Sequence, residues 1–169
     1  FLWVDAPEGF DLHDEVDGSS VPFDYQTAVQ LARGARTTAT TPVGTIQTST
    51  DPRDVMTAVS YFGSALGCTG PMRSIPSLRG HPPLIEIGDE MAVPTDLEKP
   101  TSDIIIQIPP TFEHIYPSTP LAYYLGARME PAIKPRLVTD SGFSYPLDTT
   151  VRFEQAVEQV LKHVFTIDC

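Results

Sequence analysis

Arg73, Arg79 and His81 gather in one loop, within the run Arg73-Ser-Ile-Pro-Ser-Leu-Arg-Gly-His-Pro-Pro. Two guanidinium forks match the oxygens of a carboxylate or phosphate, and an imidazole adds a partner that titrates near neutrality. These three are therefore the candidate ligand-binding residues, and the ligand they suit is a small anion. The competing expectation is that the arginines pair with some of the chain's 22 carboxylates, while Pro76, Pro82 and Pro83 stiffen a long connection. Cys68 and His81 together suggest a thiol hydrolase, because a cysteine nucleophile needs a base to take its proton. No third group is identifiable to orient that base, and a cysteine directly after Gly67 suits a small buried hydrophobe equally well. Gly63-Ser-Ala-Leu-Gly67 carries its serine one position too early for a nucleophile elbow. No catalytic residue is assigned.

A partial calcium-loop pattern runs from His13 to Asp24, with Glu15 and Asp17 as third and fifth ligands and Gly18 at the turn. It departs from the pattern at both ends. His13 stands where an aspartate is needed, and Asp24 is too short to replace a bidentate glutamate. A solvated acidic loop is the simpler expectation. Zinc-spaced cysteine pairs, a glycine-rich phosphate loop and a dinucleotide fingerprint are missing from the sequence, so neither a metal nor a cofactor is assigned.

The net charge of −11 and pI near 4.6 argue against a nucleic-acid backbone or an anionic membrane as partner. Only three lysines (Lys99, Lys134, Lys162) stand against 13 aspartates and nine glutamates. A carboxylate-rich surface repels itself in dilute buffer and is screened at molar salt, so this composition suits a salty archaeal cytoplasm. Two cysteines, one of them terminal, make no disulfide framework and point to a reducing compartment. The chain lacks an initiator methionine and stops just past an amphipathic helix, which leads us to expect a domain excised from a longer protein.

Residues 103–127 are the stretch that must organise the site. Ile104, Ile105, Ile106 and Ile108 form a β-branched run of the kind covered on both faces in a parallel sheet. Pro109 and Pro110 end the strand. Ser118 or Thr119 then caps a helix beginning at Pro120 and closing at Gly126. The same order of strand, loop, helix and glycine recurs in strand 43–48, helix 52–66 and Gly67, with Asp51 as cap and Val55, Val59, Phe62 and Leu66 as the buried stripe. A weak helical spacing covers 23–33, and further strands are expected at 1–5, 84–87, 128–130 and 136–139. Residues 143–147 pair back as a hairpin, and 151–165 form an amphipathic helix with Glu158 and Lys162 as an i,i+4 pair. The expected fold is α/β, a two-layer or three-layer open sheet, mainly parallel, built from βα units with a C-terminal hairpin and helix. It is a single domain, 1–169, with an irregular acidic segment over 1–42 and the main body over 43–169.

The runs Leu78-Arg-Gly-His-Pro-Pro, Ile108-Pro-Pro, Tyr116-Pro, Pro120-Leu-Ala-Tyr-Tyr-Leu-Gly-Ala, Pro135-Arg-Leu-Val-Thr-Asp and Val160-Leu-Lys…Phe165…Asp168-Cys169 carry a resemblance. They resemble the non-catalytic region upstream of the peptidase domain in haloarchaeal CHAT (caspase-like) proteins, over about the last three-fifths of the chain. The resemblance implies a non-catalytic accessory or interaction domain of a larger cytoplasmic protein, whose partners are the other domains of its parent chain. Two alternatives stay open: a small anionic-ligand binding domain using the 73–83 loop, and a thiol hydrolase built on Cys68 and His81.

Overall fold

The computed structural model describes Leu2–Asp5, Gln30–Arg33, and residues 41–148 and 151–169. The acidic loop, the calcium-like pattern at 13–24 and most of the threonine-rich tract at 37–41 lie outside the described residues. The chain divides into two compact units, Phe1–Thr37 and Thr38–Cys169. In the first unit, β1 (Leu2–Asp5) pairs antiparallel with β2 (Gln30–Arg33), Leu2 opposite Arg33. The helical spacing over 23–33 therefore ends in a strand. Its apolar positions were few, and cross-strand pairing outweighs so weak a helical pattern.

The second unit is α/β. Strand β3 (Thr45–Thr48) runs parallel to β4 (Leu84–Ile87), with Ile46 opposite Ile85. Between them, Asp51 caps α1 (Pro52–Val59) by accepting the Arg53 N–H at 2.8 Å, and Pro52 opens the helix where no N–H is needed. Val55, Met56, Ala58 and Val59 are buried. The helix was expected to reach residue 66 but ends at Val59, and a 3₁₀ turn follows at Phe62–Ala65. Ser60 explains the break. Its hydroxyl donates to the Met56 carbonyl at 2.8 Å and accepts the Met129 N–H at 2.9 Å, tying the end of the helix to a strand nearly 70 residues on. Gly63 then lies so close to Gly126 that a Cβ would stand 2.6 Å from the Gly126 Cα.

The larger sheet has four strands, in the order β6 (Arg128–Pro131), β5 (Ile104–Ile108), β7 (Arg136–Thr139), β8 (Ser144–Pro146). β5 pairs parallel with β6 and antiparallel with β7, which continues into the β7–β8 hairpin. The isoleucine run is a covered strand as expected, with Ile106 and Ile108 fully buried. The sheet, however, is not mainly parallel: only β5–β6 is parallel, because β7 and β8 follow as a hairpin and pair antiparallel. From β5 the chain enters α2 (Phe112–Leu125), which returns it to the parallel neighbour β6.

Helix α2 begins eight residues before the expected start at Pro120, with Thr111 as its N-cap and Pro117 and Pro120 inside it. Proline ordinarily restricts the residue before it and removes an i→i−4 bond. Here the carbonyls left without that bond belong to Glu113 and Tyr116, both exposed, so water can donate to them. The remainder of the helix is held by burial of Ile115, Leu121, Ala122 and Leu125, each large side chain contributing about 1.5–3 kcal/mol. Gly126 closes it at φ 59, with its own N–H donating to the Tyr123 carbonyl and that of Ala127 to the Ala122 carbonyl.

Helix α3 (Phe153–Asp168) packs on α2. Val157 joins the core formed by α1, β5 and α2, with Phe153, Val160, Leu161 and Val164 half-buried against it. The expected Glu158–Lys162 pair forms at 2.7 Å on the exposed face. Among the described residues no helix is long and apolar enough to cross a membrane.

Candidate functional site

The three loop residues have separate surroundings. After Gly67, the chain forms two 3₁₀ turns, Pro71–Ser74 and Pro76–Leu78, and the first lies against α3. Arg73 is buried there. Its Nε and Nη2 donate to the two carboxylate oxygens of Asp168 at 2.7 and 3.4 Å, and its Nη1 donates to the Thr69 carbonyl at 2.6 Å. The Tyr124 hydroxyl donates to the same carboxylate at 2.9 Å, and the guanidinium stands 5.2 Å from the centre of the Tyr124 ring. Ser74 donates to the Asp168 carbonyl. Arg73 thus spends its donor fork on the end of α3. Burial pushes the Tyr124 phenol above its ordinary value, and the adjacent Asp168 carboxylate pushes it further than Arg73 pulls it back.

Arg79 is half-buried and on another surface. It lines a groove of about 320 Å³ with Tyr123, Pro120, Leu161, Lys162 and Phe165. The Tyr123 hydroxyl donates to the Gly80 carbonyl at 2.6 Å, which clamps this part of the loop to α2. Burial raises the Tyr123 phenol, and the Arg79 charge acts against that rise. Neither a carboxylate nor any other acceptor bonds the Arg79 guanidinium among the described residues. His81 is exposed, its Nδ1 2.8 Å from the Pro82 carbonyl, while its own carbonyl accepts the Val43 N–H. It lines neither groove described here.

Cys68 and His81 are not hydrogen-bonded to each other. The Cys68 sulfur accepts the Gly70 N–H at 3.3 Å, and the His81 ring turns to Pro82. Among the described residues no three His, Cys, Asp or Glu side chains are placed to hold a metal ion.

A larger groove, about 510 Å³, opens between α3 and the sheet. Ile104, Leu137 and Tyr145 form its sheet wall, and Val160, Val164 and Ile167 its helix wall. Arg73 and His163 also line it. Ile167 is 82 % exposed, and Phe143 and Tyr145 are exposed as well. Comparison with family models, with curated proteins and with solved structures gives no match for this chain.

The sequence reading did not pick out Asp168, Tyr124 or Lys162 as site residues. Leu161 and Phe165 were visible as part of the apolar face of a helix, but nothing in the spacing said that two faces of that helix would border grooves.

Proposed function

We propose that this chain is a non-catalytic α/β accessory domain of a larger intracellular haloarchaeal protein, acting by contact with a neighbouring domain of its parent chain. The observation that supports this reading is the apolar groove beside α3. Contiguous exposed apolar surface of this kind marks places where proteins meet, and here it lies between a sheet and α3, with the ion-paired Arg73 among its lining residues. The resemblance of its motifs to the region upstream of CHAT peptidase domains suggests the kind of neighbour that would cover it.

The reading is tested by mixing this chain with the remainder of its parent protein at molar KCl. Association is expected, with Ile167→Asp and Tyr145→Asp each weakening it, because each sets a charge where apolar area is to be covered. Failure to associate, or association indifferent to both substitutions, overturns it. The halophilic part of the reading has its own test: the melting temperature should climb from dilute buffer to molar KCl as the carboxylates are screened, and a flat response removes it.

A further inference from the structure

Arg79 is a cation without an acceptor among the described residues, in a chain whose charge is −11. Arg73 pairs with Asp168, and Arg128 with Glu130 and Asp140. Arg53, Arg136 and Arg152 also have no acceptor among the described residues, but those three side chains are exposed, whereas Arg79 is half-buried and lines a groove. The other walls of that groove are aromatic and aliphatic: Tyr123, Pro120, Leu161 and Phe165. Its backbone is held on both sides. Leu66 bridges to Arg79, and the Tyr123 hydroxyl fixes the Gly80 carbonyl at 2.6 Å. The cation is therefore delivered to the groove by a braced segment of chain.

We propose that this groove binds a small molecule carrying one carboxylate on an aromatic ring, the carboxylate on Arg79 and the ring against Tyr123 and Phe165. The charge count favours a monoanion. Lys162 also lines the groove but is already paired with Glu158 at 2.7 Å, so Arg79, Lys162 and Glu158 together leave one positive charge, too little for a phosphate dianion. A guanidinium meets a carboxylate through two parallel N–H donors, and a groove of this volume lies at the small end of ligand sites, where one ring fits. Neither Arg73 nor His81 lines this groove, although Tyr124, which does, carries the contact to Asp168 and Arg73.

The test titrates the protein with benzoate and with benzamide, its neutral counterpart of the same shape, following amide chemical shifts. Benzoate should saturate and shift residues around 79–80, 120–124 and 161–165, with benzamide binding at least about tenfold more weakly, since the charge-assisted pair is lost. Arg79→Met should weaken benzoate by a similar factor, and Lys134→Met, at an exposed lysine outside the groove, should leave it unchanged. Should Arg79→Met melt much below the parent, Arg79→Gln gives the same reading with a polar side chain kept. Benzoate binding no tighter than benzamide, unaffected by loss of Arg79, or shifting residues elsewhere overturns the proposal.

Discussion

Removing the Asp168 carboxylate should detach the end of α3 and destabilise the body of the protein. The carboxylate is 5 % exposed and the Arg73 side chain 10 %, so both charges have left water, and each is compensated by the other. In Asp168→Ala the guanidinium keeps only the Thr69 carbonyl and the Tyr124 ring, and the Tyr124 hydroxyl loses its acceptor. Breaking one side of such a pair costs about 3–5 kcal/mol. The lower end applies, because the last turn of α3 has a way out. Ile167 is 82 % exposed and Phe165 41 %, so little apolar contact beyond the tilted Tyr124–Phe165 ring pair resists fraying, and fraying lets water reach Arg73. A loss near 3 kcal/mol corresponds to roughly 6–12 °C in melting temperature for a chain of this size.

Urea unfolding gives the loss, and amide hydrogen exchange over 164–168 shows whether the last turn opens first. Tyr124→Phe, which removes one donor and leaves the ion pair, should cost about 1 kcal/mol. Combining Arg73→Met with Asp168→Leu should recover most of the loss, because an apolar pair of similar volume needs no compensation. An Asp168→Ala protein within about 0.5 kcal/mol of the parent, with unchanged exchange at 164–168, would refute the assignment of this pair as the anchor of α3.

Three further outcomes follow from other parts of the structure. Gly63→Ala should cost about 1–3 kcal/mol, read as a lowered urea midpoint, because its Cβ would meet the Gly126 backbone at 2.6 Å; no change would mean the 62–65 turn is free to shift. Ser118 is fully buried and its hydroxyl has no partner among the described residues, so Ser118→Ala should gain about 1 kcal/mol from helix propensity and a removed unsatisfied group, and a clear loss of stability would show that the hydroxyl is bonded after all. Tyr123 and Tyr124 hold their protons in the folded state above the ordinary 10.0, so below pH 10 both states are protonated and nothing changes. Above it the unfolded chain releases protons that the folded chain keeps, so stability should fall as pH climbs through the folded values, with Tyr123 and Tyr124 ionising late by phenolate absorbance.

What could be read from the sequence was what depends on neighbours along the chain. The strand at 104–108, the Asp51-Pro52 helix start, the Gly126 closure and the Glu158–Lys162 pair are all decided within a few residues, and all appear in the structure. The misreadings share a different cause. Pro120 reads as a helix start because a proline inside a helix has a real local cost, but tertiary burial on α2 outweighs the bonds missing at Pro117 and Pro120. Ser60 ends α1 through a bond to Met129, and no local pattern at 52–66 contains Met129.

The two arginines show the same division within one loop. Arg73 and Arg79 are six residues apart and alike in type and setting, so the sequence assigned them together, with His81, to one anion. Their difference comes from α3, some 80 residues later. The helix meets the loop with Asp168 at the first arginine and with Lys162, Leu161 and Phe165 at the second. One guanidinium is thereby neutralised and buried, and the other borders an aromatic groove without a partner among the described residues. The two proposed roles lie on the two flanks of α3, and substitutions along that helix should separate them: Ile167 and Val164 for the apolar groove, Leu161 and Phe165 for the one that Arg79 borders.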